Sequence, residues 1–168
     1  MKKISIIACT LTLIIATSCA DYNRVVKTQD YEYKYEVAKQ YYAEGMYNRA
    51  ALLIQDVLSV LKGTDQGEES LYLSGLCNMK AHSYDAASTI FRKYYQTYPR
   101  GKYVEEARYN CGLSLYYITP EPKLDQSETY QAVTEFQNFI ENFPSSRLRP
   151  QAQEMIFKLQ DKLVEKEY

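Results

Sequence analysis

The stretch Tyr84-Asp-Ala-Ala87-Ser-Thr-Ile-Phe91-Arg-Lys-Tyr94-Tyr95-Gln-Thr-Tyr98-Pro99-Arg-Gly101 decides the fold. Ala87, Phe91 and Tyr94 recur at four and three, the spacing of one face of a helix. The end is a stop signal, because the residue before a proline is driven out of helical backbone. The same wording stands 37 residues earlier as Tyr47-x-x-Ala50-x-x-x-Ile54-x-x-Val57. It returns later as Ala132-x-x-x-Phe136-x-x-Phe139, closed by Phe143-Pro-Ser-Ser146. Ahead of each copy runs a second helical stretch, anchored at Tyr35-x-x-Ala38, Tyr72-x-x-Gly75 and Tyr109-x-x-Gly112, again 37 residues apart. An acid precedes each of these tyrosines by three residues: Glu32, Glu69 and Glu106. Self-similarity at a fixed period of this size is the mark of a repeat architecture.

The pattern resembles the tetratricopeptide repeat, a helix–turn–helix unit. Ala38, Gly75 and Gly112 take the small position of the first helix. Ala50, Ala87 and Ala132 take that of the second, with a large apolar residue four later and a closing Pro in two copies. Gly45-Met46-Tyr47 is the Gly-x-Tyr turn. Two helices approach closely only where both carry small residues, and large side chains fill the gaps beside the crossing. His82 stands where Gly is usual and Lys62 where Pro is usual. The pattern predicts an all-α, tetratricopeptide-like solenoid of three helix pairs and one unpaired helix. The helices are expected near 32–44, 47–62, 67–80, 84–98, 103–117, 129–142 and 149–166, grouped as repeats 31–64, 68–101 and 105–146.

The third copy carries an insert between Ile118 and Thr129, with Pro120, Pro122 and Asp125. Loops this long are often functional, and an insertion tolerated at a solenoid edge remains the other reading. Residues 148–168 place Ala152, Met155, Ile156, Leu159, Leu163 and Val164 on one stripe without a following partner. They read as the first helix of an incomplete fourth repeat, so the chain is expected to be a piece of a longer array.

The beginning of the chain is a different material. Lys2 and Lys3 precede an apolar run from Ile4 to Ile15, and the small residues Ala16-Thr17-Ser18 lead to Cys19. A charged start, a short apolar core and small residues before a cut make a secretory signal over 1–18. A membrane span needs about 20 apolar residues, more than this run supplies. A Cys directly after the small residues resembles the lipobox of bacterial lipoproteins, although Ala16 replaces the usual Leu. That resemblance implies a diacylglycerol and an N-acyl chain on Cys19, with 19–30 as the acylated tether to a membrane. Ala20, in place of an inner-membrane retention Asp, favours the outer membrane. Without Lys2 and Lys3 the chain holds 18 basic against 21 acidic residues, about −3. Such a balance draws no nucleic acid. Cys77 and Cys111 lie in apolar helical runs, as buried small residues or as a disulfide.

A lipid anchor followed by these repeats resembles the BamD family of outer-membrane assembly lipoproteins. The resemblance is carried by Asp21-Tyr22-Asn23, Tyr41-Tyr42, Tyr47-x-x-Ala50, and Tyr94-Tyr95 before Tyr98-Pro99. Its most specific parts are Thr119-Pro120-Glu121-Pro122 and the closing Leu159-x-x-Lys162-Leu163-x-x-Lys166-Glu167-Tyr168. The tyrosine-rich wording is similar to the Bacteroidetes branch. The family implies an outer-membrane, periplasm-facing scaffold that meets a BamA-like barrel subunit and unfolded outer-membrane proteins. The first three repeats are those associated with the unfolded client.

In tetratricopeptide arrays the first helix of each pair lines the concave face. The register puts Tyr35, Tyr72 and Tyr109 there, with Lys39 and Tyr42, Leu76 and Met79, and Leu113 and Tyr116 beyond them. Such a row suits a peptide with aromatic anchors, and Lys39 and Lys80 suit a terminal carboxylate. The competing reading is that these tyrosines pack repeat against repeat. No catalytic constellation is expected, since His82 is the only His and lies in a predicted turn, and no metal site or phosphate loop is expected either. The alternative role on the same fold is a protein–protein adaptor in a cell-wall or nutrient-uptake complex.

Overall fold

A computed structural model of the chain describes residues 22–167. The signal segment 1–18 and Cys19 lie outside the described residues. Among the described residues from 31 onward, seven helices follow one another: α1 Tyr31–Ala43, α2 Tyr47–Leu58, α3 Asp65–Lys80, α4 Tyr84–Thr97, α5 Val104–Ile118, α6 Ser127–Asn142 and α7 Arg149–Glu167. Among the described residues there is no strand. Consecutive helices pack antiparallel as pairs α1–α2, α3–α4 and α5–α6, with α7 against α6. The first helices also touch across repeats, α3 with α5 and α5 with α7. They therefore form the inner side of the stack.

The small residues sit where the sequence puts them. Ala38, Ala50, Ala87 and Ala132 have no exposed surface. A Cβ built on Gly75 would lie 2.6–2.9 Å from the Phe91 ring, and one on Gly112 would lie 3.0–3.2 Å from the Phe136 ring. Phe91, Tyr94, Phe136 and Phe139 are fully buried beside these crossings. In the second and third pairs the first helix thus meets an aromatic face of its partner, while in the first pair Ala38 meets the aliphatic Leu53 and Ile54.

The turns repeat as well. In the first, the Gly45 N–H bonds to the Tyr42 carbonyl and the Met46 N–H to that of Tyr41. Thirty-seven residues on, His82 bonds to Met79 and Ser83 to Asn78 in the same way. Gly45 has φ +78° and His82 φ +60°, so a side chain occupies backbone that favours glycine.

Two elements differ from the sequence expectation. Helix α2 ends at Leu58, not near 62, because the chain turns to cap α3. Thr64 Oγ1 donates to the Leu61 carbonyl and accepts from the Gly67 N–H, at 2.7 and 3.0 Å. Leu61 keeps the apolar rhythm yet enters the core from this turn, beside Tyr35 and Val57. The second difference is an additional helical segment over 22–27, within the stretch read as a tether. Its Val25 is buried against the first pair, and Tyr22 meets the Tyr41 ring at 5.9 Å. Six residues are too few to show a period, so sequence patterning missed it.

The insert is ordered from within. Gln126 is buried and donates to the carbonyls of Glu121, Leu124 and Pro122, while its Oε1 accepts from Thr129 at 2.7 Å. Lys162 of α7 donates to the Thr119 carbonyl and hydroxyl, at 3.1 and 2.9 Å. The proline-rich loop is therefore pinned to both neighbouring helices. Cys77 and Cys111 are buried free thiols, and burial pushes each up to about 12.

Candidate peptide-binding face

The ten residues assigned to the inner face come from α1, α3 and α5, with different degrees of freedom. Tyr35 is 2% exposed and packs on Val57 and Leu61 of its own repeat. Burial first, then the neighbouring Glu69 carboxylate, raises the pKa of its phenol. Tyr35 is thus a packing residue, not a free aromatic rung. Lys39 lies over the Tyr35 ring at 4.9 Å and shares its charge with Glu36 and Glu69, at 3.7 and 3.8 Å. Tyr42 is half-buried, edge-on to Tyr47 at 5.5 Å.

The second and third rungs are half-buried. Tyr72 stacks on Tyr103 at 4.5 Å with the rings 3° from parallel, and it meets Phe91 and Tyr94 at 5.9 and 5.7 Å. Its hydroxyl accepts a long hydrogen bond of 3.4 Å from Asn110 of the next repeat. Burial first, then the Glu106 carboxylate, pushes its phenol up to about 12. Tyr109 meets Phe136 and Phe139 at 5.8 and 5.6 Å. Leu76, Met79, Leu113 and Tyr116 are half-buried beside the core. Lys80 is exposed in the last turn of α3.

The three tyrosines therefore pack within the array, and Tyr72 and Tyr109 are also partly exposed. Each ring packs on the second helix of its own pair, while the edges of Tyr72, Tyr109 and their neighbours stay solvent-accessible. None of the ten residues lines the cleft of about 580 Å³ that the molecule holds between α2, α3 and α4. The inner row is a shallow face of apolar edges. Such a face suits an extended segment that is read through its side chains.

Sequence reading missed the residues that fix this face. Glu68 Oε1 accepts from the Tyr94 hydroxyl at 2.5 Å and from the Lys102 N–H at 2.6 Å. The Tyr94 hydroxyl in turn accepts from the Tyr103 N–H at 2.9 Å. This network clamps the Tyr98–Lys102 turn and delivers Tyr103 onto Tyr72. In the third repeat the equivalent acid, Glu105, also holds the closing turn by accepting from the Ser146 hydroxyl, but Phe139 stands where Tyr94 does and brings no hydroxyl. The signal is in the register: Glu68 and Glu105 are 37 residues apart, one position before Glu69 and Glu106.

Comparison with known proteins now bears on the geometry. The YfiO family model, described as an outer membrane lipoprotein, matches residues 32–168. The chain belongs to this family. The match takes in all ten face residues, and Cys19 lies ahead of it. The chain is also 25% identical, over 169 residues, to the outer membrane protein assembly factor BamD of Pasteurella multocida (strain Pm70). That likeness covers 95% of this chain and 63% of the relative, so the chain spans less than two thirds of that protein's length. No helix among the described residues is long and apolar enough to cross a membrane.

Proposed function

We propose that this member of the outer membrane lipoprotein family is a BamD-type scaffold of β-barrel assembly, held by acyl chains on Cys19 and facing the periplasm. In this reading its inner face receives the C-terminal strand of unfolded barrel proteins, and a BamA-like barrel subunit is its partner in the machine. The observation that carries it is the family match over residues 32–168, joined by the likeness to an assembly factor. The inner row adds chemical support. A barrel strand offers alternate apolar side chains and a terminal carboxylate, which suit the edges of Tyr72, Met79, Tyr109 and Tyr116 with the exposed Lys80. The tyrosine-rich wording supports a Bacteroidetes-like branch. The protein's task in this reading is binding, with no reaction to catalyse.

The test is binding of a labelled barrel C-terminal peptide to the full chain, with Tyr72→Ala, Tyr109→Ala and Lys80→Glu measured separately. Anchoring aromatics cost about 2 kcal/mol when truncated, roughly thirtyfold in affinity. Lys80→Glu is expected to weaken only peptides with a free carboxylate. Helical signal controls for folding, since both tyrosines also pack the core. Folded variants that bind like the parent would remove the inner face from the mechanism. Mass spectrometry of the mature N-terminus, expected to show an acylated Cys19, tests the anchor independently.

A further inference from the structure

The two joints between repeats are built from the same register and filled differently. Between the second and third repeats, Glu135 of α6 is buried and reaches back to α4. Its carboxylate accepts from the Tyr95 hydroxyl at 3.0 and 3.1 Å and pairs with Arg92 at 3.0 Å. Arg108 of α5 lies 4.3 Å over the Tyr95 ring, and the Cys111 thiol donates to the Ser88 carbonyl at 3.4 Å. An aromatic ring, two cations and a carboxylate thus close this joint.

Counting back 37 residues on α4 and α5, and on α6 the 45 residues that separate Ala132 from Ala87, gives the residues of the preceding joint. Arg92 and Tyr95 become Gln55 and Leu58, Arg108 becomes Leu71, Cys111 becomes Ser74 and Glu135 becomes Ile90. Those five residues line the cleft of about 580 Å³ between α2, α3 and α4. The same trough continues for about 380 Å³ past Leu58 and Leu71 to Lys62 and Lys93. The cleft is therefore the position of the Tyr95–Glu135 cluster with its ring and its carboxylate removed. Leu52, 56% exposed, stands on its wall. Its walls carry Lys62 and Lys93 and no carboxylate.

We infer that this cleft is a second docking site, on the outer side of the stack, for a partner-protein segment carrying an aromatic side chain beside a carboxylate. The ring takes the place that Tyr95 fills one repeat later, over Leu58, Leu71 and Ile90. The carboxylate meets Lys93 of α4 on the cleft wall, because the register puts the uncharged Gln55 where the later joint has Arg92. The apolar floor supplies affinity and the cationic wall selects the sign of the partner. The site stands apart from the inner row and shares none of its ten residues.

The test uses the full chain, with methyl signals of Leu52, Leu58, Leu71 and Ile90 followed by NMR. The probes are three capped peptides: acetyl-Glu-Tyr-Glu amide, acetyl-Gln-Tyr-Gln amide and acetyl-Glu-Ala-Glu amide. The first is expected to move these methyls at millimolar concentration. Removing the charges should weaken it up to about fivefold, the size of an exposed ion pair. Removing the ring should weaken it about thirtyfold, as for a truncated aromatic anchor. Lys93→Glu, at an exposed residue, should abolish the preference for the acidic peptide. Leu58→Tyr with Ile90→Glu and Gln55→Arg rebuilds the later joint inside the cleft and should stop binding in a folded chain. Methyls that stay still with every peptide, or move alike with all three, would overturn the site. The inference also fails if the same methyls shift on raising the protein concentration alone, because the occupant is then a second copy of the chain.

Discussion

The first and second helix pairs share a backbone and differ in how they fill one crossing. In the first, Ala38 of α1 and Ile54 of α2 are buried in the same cluster. In the second, the equivalent residues are Gly75 and Phe91, with the ring within 2.9 Å of where a Cβ would stand. The third pair repeats the second choice with Gly112 and Phe136, slightly less tightly. The small position is thus set by what faces it. An aliphatic side chain leaves room for a methyl group, and an aromatic ring requires its absence. Side-chain volume is conserved across the crossing while the backbones stay in register.

The largest effect expected from this contrast comes from deleting the ring. Phe91→Ala is expected to cost about 3–5 kcal/mol, because Gly75 has no side chain with which to close the void. Chemical denaturation of the full chain measures it. A cost below about 1 kcal/mol would mean that the neighbouring helices collapse onto the space, and that the crossing is not held by volume.

The next effect runs the other way. Gly75→Ala is expected to destabilise by about 1–3 kcal/mol through overpacking. Gly112→Ala should cost less, since Phe136 stands 3.0–3.2 Å from the new methyl and needs to yield only a few tenths of an ångström. Adding Phe91→Ile to Gly75→Ala rebuilds the combination of the first pair and should recover much of the loss. A double-mutant cycle reads the coupling directly. Equal costs at Gly75 and Gly112, or no coupling to Phe91, would break the comparison.

These contrasts also show what was legible in the sequence. The period of 37, the alanine and glycine positions and the stop at Pro99 carried the helix pairs, because each is a local demand of close helix packing. The end of α2 was read too far, because Leu61 satisfies the apolar rhythm from a turn that Thr64 organises through its hydroxyl. Gln126 and Glu135 escaped notice for a related reason. A buried polar residue looks like an ordinary solvated one until its partners, distant in sequence, are known. The inner-face row was visible as a register, but the enclosure of Tyr35 by Leu61 was not. Periodicity gives the face of a helix and is silent on what an irregular neighbour lays across it.

The smallest effect concerns the two equivalent turns, where the first has Gly45 at φ +78° and the second His82 at φ +60°. A left-handed residue with a Cβ is strained by about 1–2 kcal/mol relative to glycine. Glycine instead gives the unfolded chain more freedom, which offsets about 0.4–1 kcal/mol of that difference. At Gly45 nothing lies within 4 Å of a new Cβ, so Gly45→Ala isolates the backbone preference. It is expected to lower stability by about 0.5–1 kcal/mol, the remainder after that offset. The converse, His82→Gly, relieves the same strain but loses the 2.7 Å contact between His82 Nδ1 and the Tyr84 hydroxyl. That contact is exposed, so it offsets only part of the relief, and His82→Gly is expected to stabilise by less than about 0.5 kcal/mol. Thermal melts of the two variants decide the sign. If His82→Gly destabilises while Gly45→Ala behaves as expected, the His82–Tyr84 contact outweighs the backbone strain. The second turn would then be held by its side chains where the first is held by its glycine.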